Sequence, residues 1–116
     1  MQYRLINPSF IQESLMYNKE LISQFLDLYQ EQIPIDLNAL KEAVASASHI
    51  EIANKAHHIK PTMDYVGART LREKLQQLEY AGKHGAEIPY MHTLFLDIEN
   101  EILVLLQEIA DYRRKP

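Results

Sequence analysis

The segment Ala56-His57-His58-Ile59-Lys60-Pro61-Thr62-Met63-Asp64-Tyr65-Val66-Gly67 gathers the residues of this chain best suited to chemistry, two imidazoles, a lysine and an aspartate within one short stretch. In a helix, a rotation of about 100° per residue sets Ala53, His57, Lys60 and Asp64 on one stripe. That stripe is displaced by about 100° from an apolar one made of Ile52, Ala56, Ile59, Met63 and Val66. His57 therefore stands at the edge of a core, open to water. His58 falls on the other flank, with Asn54, Thr62 and Tyr65 as same-face neighbours. An imidazole with a pKa near its ordinary value of about 6.5 is largely neutral and nucleophilic at pH 7 without a dedicated base. Lys60, one turn from His57, supplies a point charge able to neutralise phosphate oxygens. Spacing alone leaves either histidine open as the reactive one.

The elements that must position these groups follow from apolar spacing. Three Gly and five Pro in 116 residues leave little material for the many turns of a sandwich or barrel, so long helices are favoured. Residues 1–7 read as a loose arm. Pro8 at a first-turn position, followed by Phe10, Ile11 and Leu15, predicts a short helix over 8–16. From an Asn18 cap, Ile22, Phe25, Tyr29, Ile33, Leu37, Leu40 and Val44 form one continuous helical face over 18–47, kinked by Pro34. Ser48-His49-Ile50-Glu51 has the pattern of a capping box and opens a helix over 48–66, which Gly67 ends in a left-handed turn. Ala68, Leu71, Leu75 and Leu78 carry a helix over 68–82, until Ala81-Gly82-Lys83-His84-Gly85 breaks the pattern. The last helix, over 87–114, runs on Met91, Leu94, Ile98, Ile102, Leu105, Ile109 and Tyr112. Four amphipathic helices with short loops pack most simply as an all-α, antiparallel up-down-up-down four-helix bundle, the additional N-terminal helix covering one end. The whole chain forms a single domain.

Composition removes several function classes. Zero Cys excludes thiolate zinc sites, iron–sulfur clusters, disulfides and cysteine nucleophiles. A net charge of −4 speaks against nucleic acid as a partner. Apolar runs such as Ile102-Leu103-Val104-Leu105-Leu106 are too short to span a bilayer, so no membrane association and a cytoplasmic location are expected. The basic run Arg113-Arg114-Lys115 complements the negative end of a C-terminal helix. A metal-binding bundle is the natural competitor for a chain with five histidines, but no two of them lie three or four apart, and none follows a Glu at three residues. His49, His84 and His92 read as surface residues. A second alternative is a helical docking module without phosphate chemistry, using aromatic surface from Tyr17, Tyr29, Tyr65, Tyr80, Tyr90 and Tyr112, although helical spacing sends most of these to the core.

The register of His57, Lys60 and Gly67 resembles the histidine-containing phosphotransfer (Hpt) family, whose hallmark is a histidine, a lysine three residues on and a glycine ten residues on. Read from His58, both companions fall out of register. The short docking helix, the Pro-interrupted second helix and the apolar spacing of the third extend the resemblance over nearly the whole chain. The resemblance implies that His57 accepts a phosphoryl group from a receiver-domain aspartyl phosphate and passes it to another receiver, and that Lys60 stabilises phosphate charge. It further implies response-regulator receiver domains and a hybrid sensor histidine kinase as partners, a monomer, and no intrinsic cofactor, with Mg²⁺ held by the receiver. No nucleotide-binding motif is visible, so a phosphoryl carrier rather than a kinase is expected. Hairpin geometry adds Glu79, twelve residues after Gly67 as His57 lies ten before it, at about the height of His57 and able to accept from Nδ1–H. Residues 53–83 carry +3 and the remainder −7, a local positive face that would favour an acidic partner. Asn54, Pro61, Asp64 and Gly67 mark the expected docking surface. Pro61 and Asp64 depart from the family pattern, the first removing the helical partner of the His57 carbonyl and predicting a kink there.

Overall fold

The computed structural model describes residues 2–115, which form α1 (Pro8–Ser14), α2 (Lys19–Ala45), α3 (His49–Tyr65), α4 (Arg69–Lys83) and α5 (Ile88–Arg114). Side-chain oxygens start three of them: Asn7 accepts from the Phe10 amide, Asn18 from Leu21 and Ser48 from Glu51. Glu51 leans towards Lys55, 4.0 Å away. Pro34 and Pro61 lie inside α2 and α3, each of which continues through its proline as one helix.

Partners count up along one helix as they count down along the next, so the four long helices alternate in direction. His57 meets Glu79, Lys60 meets Gln76 and Asp64 meets Arg72 across α3 and α4. Lys41 pairs with Glu99, and Asp27 with Arg113, across α2 and α5. Each long helix packs on its two neighbours in a ring, α3 most extensively on α4, and the result is an all-α bundle 45 Å long and 23 by 21 Å across. Leu40, Ile52, Ala56, Met63, Leu71, Leu75, Leu78, Met91, Ile98, Ile102, Leu105 and Ile109 are inaccessible to water and fill its centre. Burial of these side chains is the main favourable term, because each removes its apolar surface from water.

The structure corrects the reading of the N-terminal arm. Met1 lies outside the described residues, but residues 3–7 are tied down rather than loose. Leu5 and Ile6 are buried, and the buried Glu108 carboxylate on α5 accepts from the amides of Arg4, Leu5 and Ile6 at 3.0, 2.9 and 2.9 Å. The Tyr3 hydroxyl donates to Asp111 and Arg4 pairs with Glu101. A seven-residue arm is too short to show periodicity, and its anchor is a glutamate about a hundred positions away. The first helix also stops at Ser14, since Met16 and Tyr17 turn into the left-handed region at φ 55° and 57°. The fourth runs to Lys83, so Gly82 is a helical residue and not a break.

Two further expectations change. Of the six tyrosines read as potential core, only Tyr29 is buried, while Tyr17, Tyr65, Tyr80 and Tyr90 are more than half exposed. His49 is no plain surface residue: its Nε2 lies 2.7 Å from the Ala86 carbonyl and pins the start of α3 to the α4–α5 turn.

Candidate functional site

α3 and α4 build the site between them. His57 projects from the third turn of α3 with its ring 67% exposed, and its Nδ1 lies 3.1 Å from Oε2 of Glu79. Glu79 follows Leu78 on α4 and faces the groove, its side chain only 4% exposed. Burial alone pushes its carboxyl up, but hydrogen bonds from the Lys60 and Lys83 ammoniums, with the Coulomb field of Lys60 and His57, overcome that and hold it down to about 2. Glu79 is thus a carboxylate at neutral pH and can only accept, so the hydrogen on the His57 ring sits on Nδ1. Nε2 is left with its lone pair, on an exposed ring.

Lys60 lies in the groove with its side chain 13% exposed, donating to Oε1 of Glu79 at 2.8 Å and to Oε1 of Gln76 at 2.6 Å. Lys83, one turn beyond Glu79, meets Oε2 at 2.9 Å and is 60% exposed. One buried carboxylate therefore organises an imidazole and two ammoniums. His57, Lys60 and Glu79 come together as a cluster. Gln76 and Lys83 join them without having been singled out as site residues in the sequence; Lys83 one turn after Glu79 was the available signal.

The other expected positions are spread along α3. Asn54, Pro61 and Asp64 are exposed on its outer face, and Asp64 is held by Arg72 at 2.7 Å. Gly67 sits in the turn at φ +71°, where an added Cβ would lie 2.7 Å from Cβ of Asn7 and 3.3 Å from that of Phe10. Its role in the structure is to let the turn close beneath α1. His58 faces α2 instead, its Nε2 3.4 Å from Oδ1 of Asp36, which also accepts from Gln32. No lysine or arginine is paired with Asp36 among the described residues. The positive balance of residues 53–83 is largely taken up by ion pairs, including Lys55 with Glu51, Arg72 with Asp64 and Lys74 with Asp97 and Glu101.

Beyond Tyr65 an apolar cleft of about 470 Å³ opens between α1, α2 and the end of α3, lined by Phe10, Leu15, Phe25, Leu28, Tyr29 and Tyr65 among others. Phe10, Leu28 and Tyr65 are 43, 52 and 54% exposed, an apolar surface contiguous with the outer face of α3. Among the described residues no group of three or more His, Asp or Glu side chains is arranged to hold a metal ion, and no helix is long and apolar enough to cross a membrane.

The fold is that of a histidine-containing phosphotransfer protein, an all-α helix bundle. Among solved structures, the chain is similar to histidine-containing phosphotransfer protein B (HptB) from Pseudomonas aeruginosa PAO1, with a TM-score of 0.87 and 17% sequence identity over 97% of each chain. No protein-family model matches the sequence, and no curated protein matches it.

Proposed function

We propose that this protein is a phosphoryl carrier in a two-component phosphorelay, accepting a phosphoryl group on Nε2 of His57 from a receiver-domain aspartyl phosphate and passing it to another receiver. The observation that carries the reading is the pairing of His57 with Glu79, an exposed imidazole whose Nδ1 is held by a buried carboxylate, so that Nε2 is the ring nitrogen left for a partner. The Hpt-like fold supports it. Transfer of a phosphoryl group needs positioning and charge stabilisation rather than elaborate covalent machinery, so one oriented imidazole beside cations is sufficient on the carrier side. Nδ1–H···Oε2 fixes the tautomer, and Lys60 keeps Glu79 ionised in the groove. The cationic ring formed on phosphorylation is then stabilised by the carboxylate below it.

In this reading the partners are response-regulator receiver domains and a hybrid sensor histidine kinase in the cytoplasm. Mg²⁺ belongs to the receiver, and the carrier, a monomer, needs no cofactor of its own. The apolar surface of Phe10, Leu28 and Tyr65, with Asn54 and Pro61, is where a receiver would seat itself over His57. The test is incubation with a phosphorylated receiver domain and Mg²⁺, followed by intact mass and acid-labile phosphate. Wild type and His58→Gln should carry label, and His57→Gln none. Label that depends on His58 would overturn the assignment, and a receiver that binds without labelling any variant would leave a docking module in its place.

A further inference from the structure

We infer that Lys83, not Lys60, is the cation that meets the phosphoryl group directly, while Lys60 is a positioning residue acting through Glu79; this rests on the phosphotransfer reading above. The two ammoniums share one carboxylate but differ in freedom. Lys60 is 13% exposed and has two acceptors, Gln76 and the Oε1 oxygen of Glu79, at 2.6 and 2.8 Å. To reach a phosphoryl group it would have to leave both and strip a cation from a buried carboxylate, a loss larger than that of an exposed contact. Lys83 has one acceptor and is 60% exposed. It shares the buried Glu79 carboxylate with Lys60, which stays paired to it when Lys83 moves, and its own ammonium already stands in solvent with one contact to break instead of two.

Position favours Lys83 as well. It contacts Oε2, the same oxygen that accepts from Nδ1 of His57, whereas Lys60 contacts the other. The Lys83 ammonium and the ring therefore meet at one atom. The residue before it, Gly82, brings the helices together: a Cβ there would lie 2.7 Å from the His49 carbonyl oxygen and 3.0 Å from both Cβ and N of Ala53. Ala53 is one turn before His57 on α3, so this close approach lies next to the histidine.

In the transfer the Nε2 lone pair forms the N–P bond, and the electron pair of the breaking P–O bond leaves with the donor's carboxylate. The proton on Nδ1 stays on the ring, bonded to Glu79. Two negative charges then reside on the phosphoryl oxygens, and the flexible stem of Lys83 carries its ammonium from Oε2 to them.

The test uses phosphoramidate, a small-molecule donor that needs no receiver docking and releases ammonia as its P–N bond breaks. Phosphorylation of His57 is followed by intact mass, the ³¹P shift of the product is titrated against pH, and thermal unfolding and the ¹⁵N-detected ring tautomer are recorded. Lys83→Met should slow labelling about tenfold or more and raise the pH midpoint of the ³¹P shift, with the melting temperature falling less than in Lys60→Met, the tautomer kept and Lys83→Arg restoring most of the rate. Lys60→Met should lower the melting temperature and disturb the tautomer while leaving the ³¹P midpoint in place. The inference is overturned if Lys83→Met labels at the wild-type rate, or if the ³¹P midpoint moves in Lys60→Met instead. A wild-type protein that neither phosphoramidate nor phosphorylated receivers label would overturn the phosphotransfer reading itself.

Discussion

Replacing Glu79 by Gln removes one negative charge from the α3–α4 groove with almost no change in volume, and so isolates what the charge contributes. The neighbouring ammoniums lower the carboxyl from an ordinary value of 4.5 to about 2 in the folded protein, even though burial opposes them. At about 1.4 kcal/mol per pKa unit, the ionised form stabilises the folded state by about 3 kcal/mol relative to a neutral group at the same place. The side chain is 4% exposed, so solvent screening reduces this figure little. Because the folded pKa is depressed, the stabilisation is fully present above about pH 4.5 and is lost as pH falls through about 2. Urea unfolding of wild type and Glu79→Gln at a series of pH values should therefore show a gap of about 3 kcal/mol at pH 7 that closes towards pH 2. Other carboxylates titrate in both proteins and cancel in the difference. At pH 7 the variant should also melt roughly 12 °C lower. A gap that stays constant from pH 7 to pH 3, or one below about 1 kcal/mol at pH 7, would refute the reasoning that the lysines hold Glu79 ionised.

The helix interface and the N-terminal anchor give two more expected outcomes. Gly82→Ala adds a methyl 2.7 Å from the His49 carbonyl oxygen, so α3 and α4 must part, and the variant should lose about 1–3 kcal/mol in spite of alanine's better helix propensity, with the His57 ring less ordered by NMR. Unchanged stability would mean that the close approach does not constrain the groove. Glu108→Ala strands the amides of Arg4, Leu5 and Ile6 and should cost about 2–3 kcal/mol, with hydrogen-exchange protection lost at those three amides first. Retained protection there would show that apolar burial of Leu5 and Ile6 holds the arm without the carboxylate.

Much of this protein is legible in its sequence because helical periodicity is a local property. The spacing of apolar residues marks four long helices and their inward faces, and Asn18, Ser48 and Gly67 mark where chain direction changes. The same arithmetic puts His57 at the edge of the apolar stripe of α3 and Glu79 at its height, since an antiparallel hairpin fixes which residues lie level, and the structure turns that edge towards α4. What the sequence could not determine depends on contacts between elements. Gln76 and Lys83 resemble any other polar residues on a helix until α3 packs against α4, brings the Lys60 ammonium onto Gln76 and buries the Glu79 carboxylate that Lys83 meets. Gly82 reads as a break in the chain because its value lies in the missing Cβ, which matters only where another backbone passes within contact distance. Residues 4–6 of the arm are fixed by a glutamate on the last helix, and the exposed tyrosines are left outside by how the bundle closes. The sequence by itself determined the helices and set an imidazole level with a carboxylate. Only the tertiary structure decided how charge is shared around that pair, because the ionisation of a buried group is set by every charge that packing brings within a few ångströms of it.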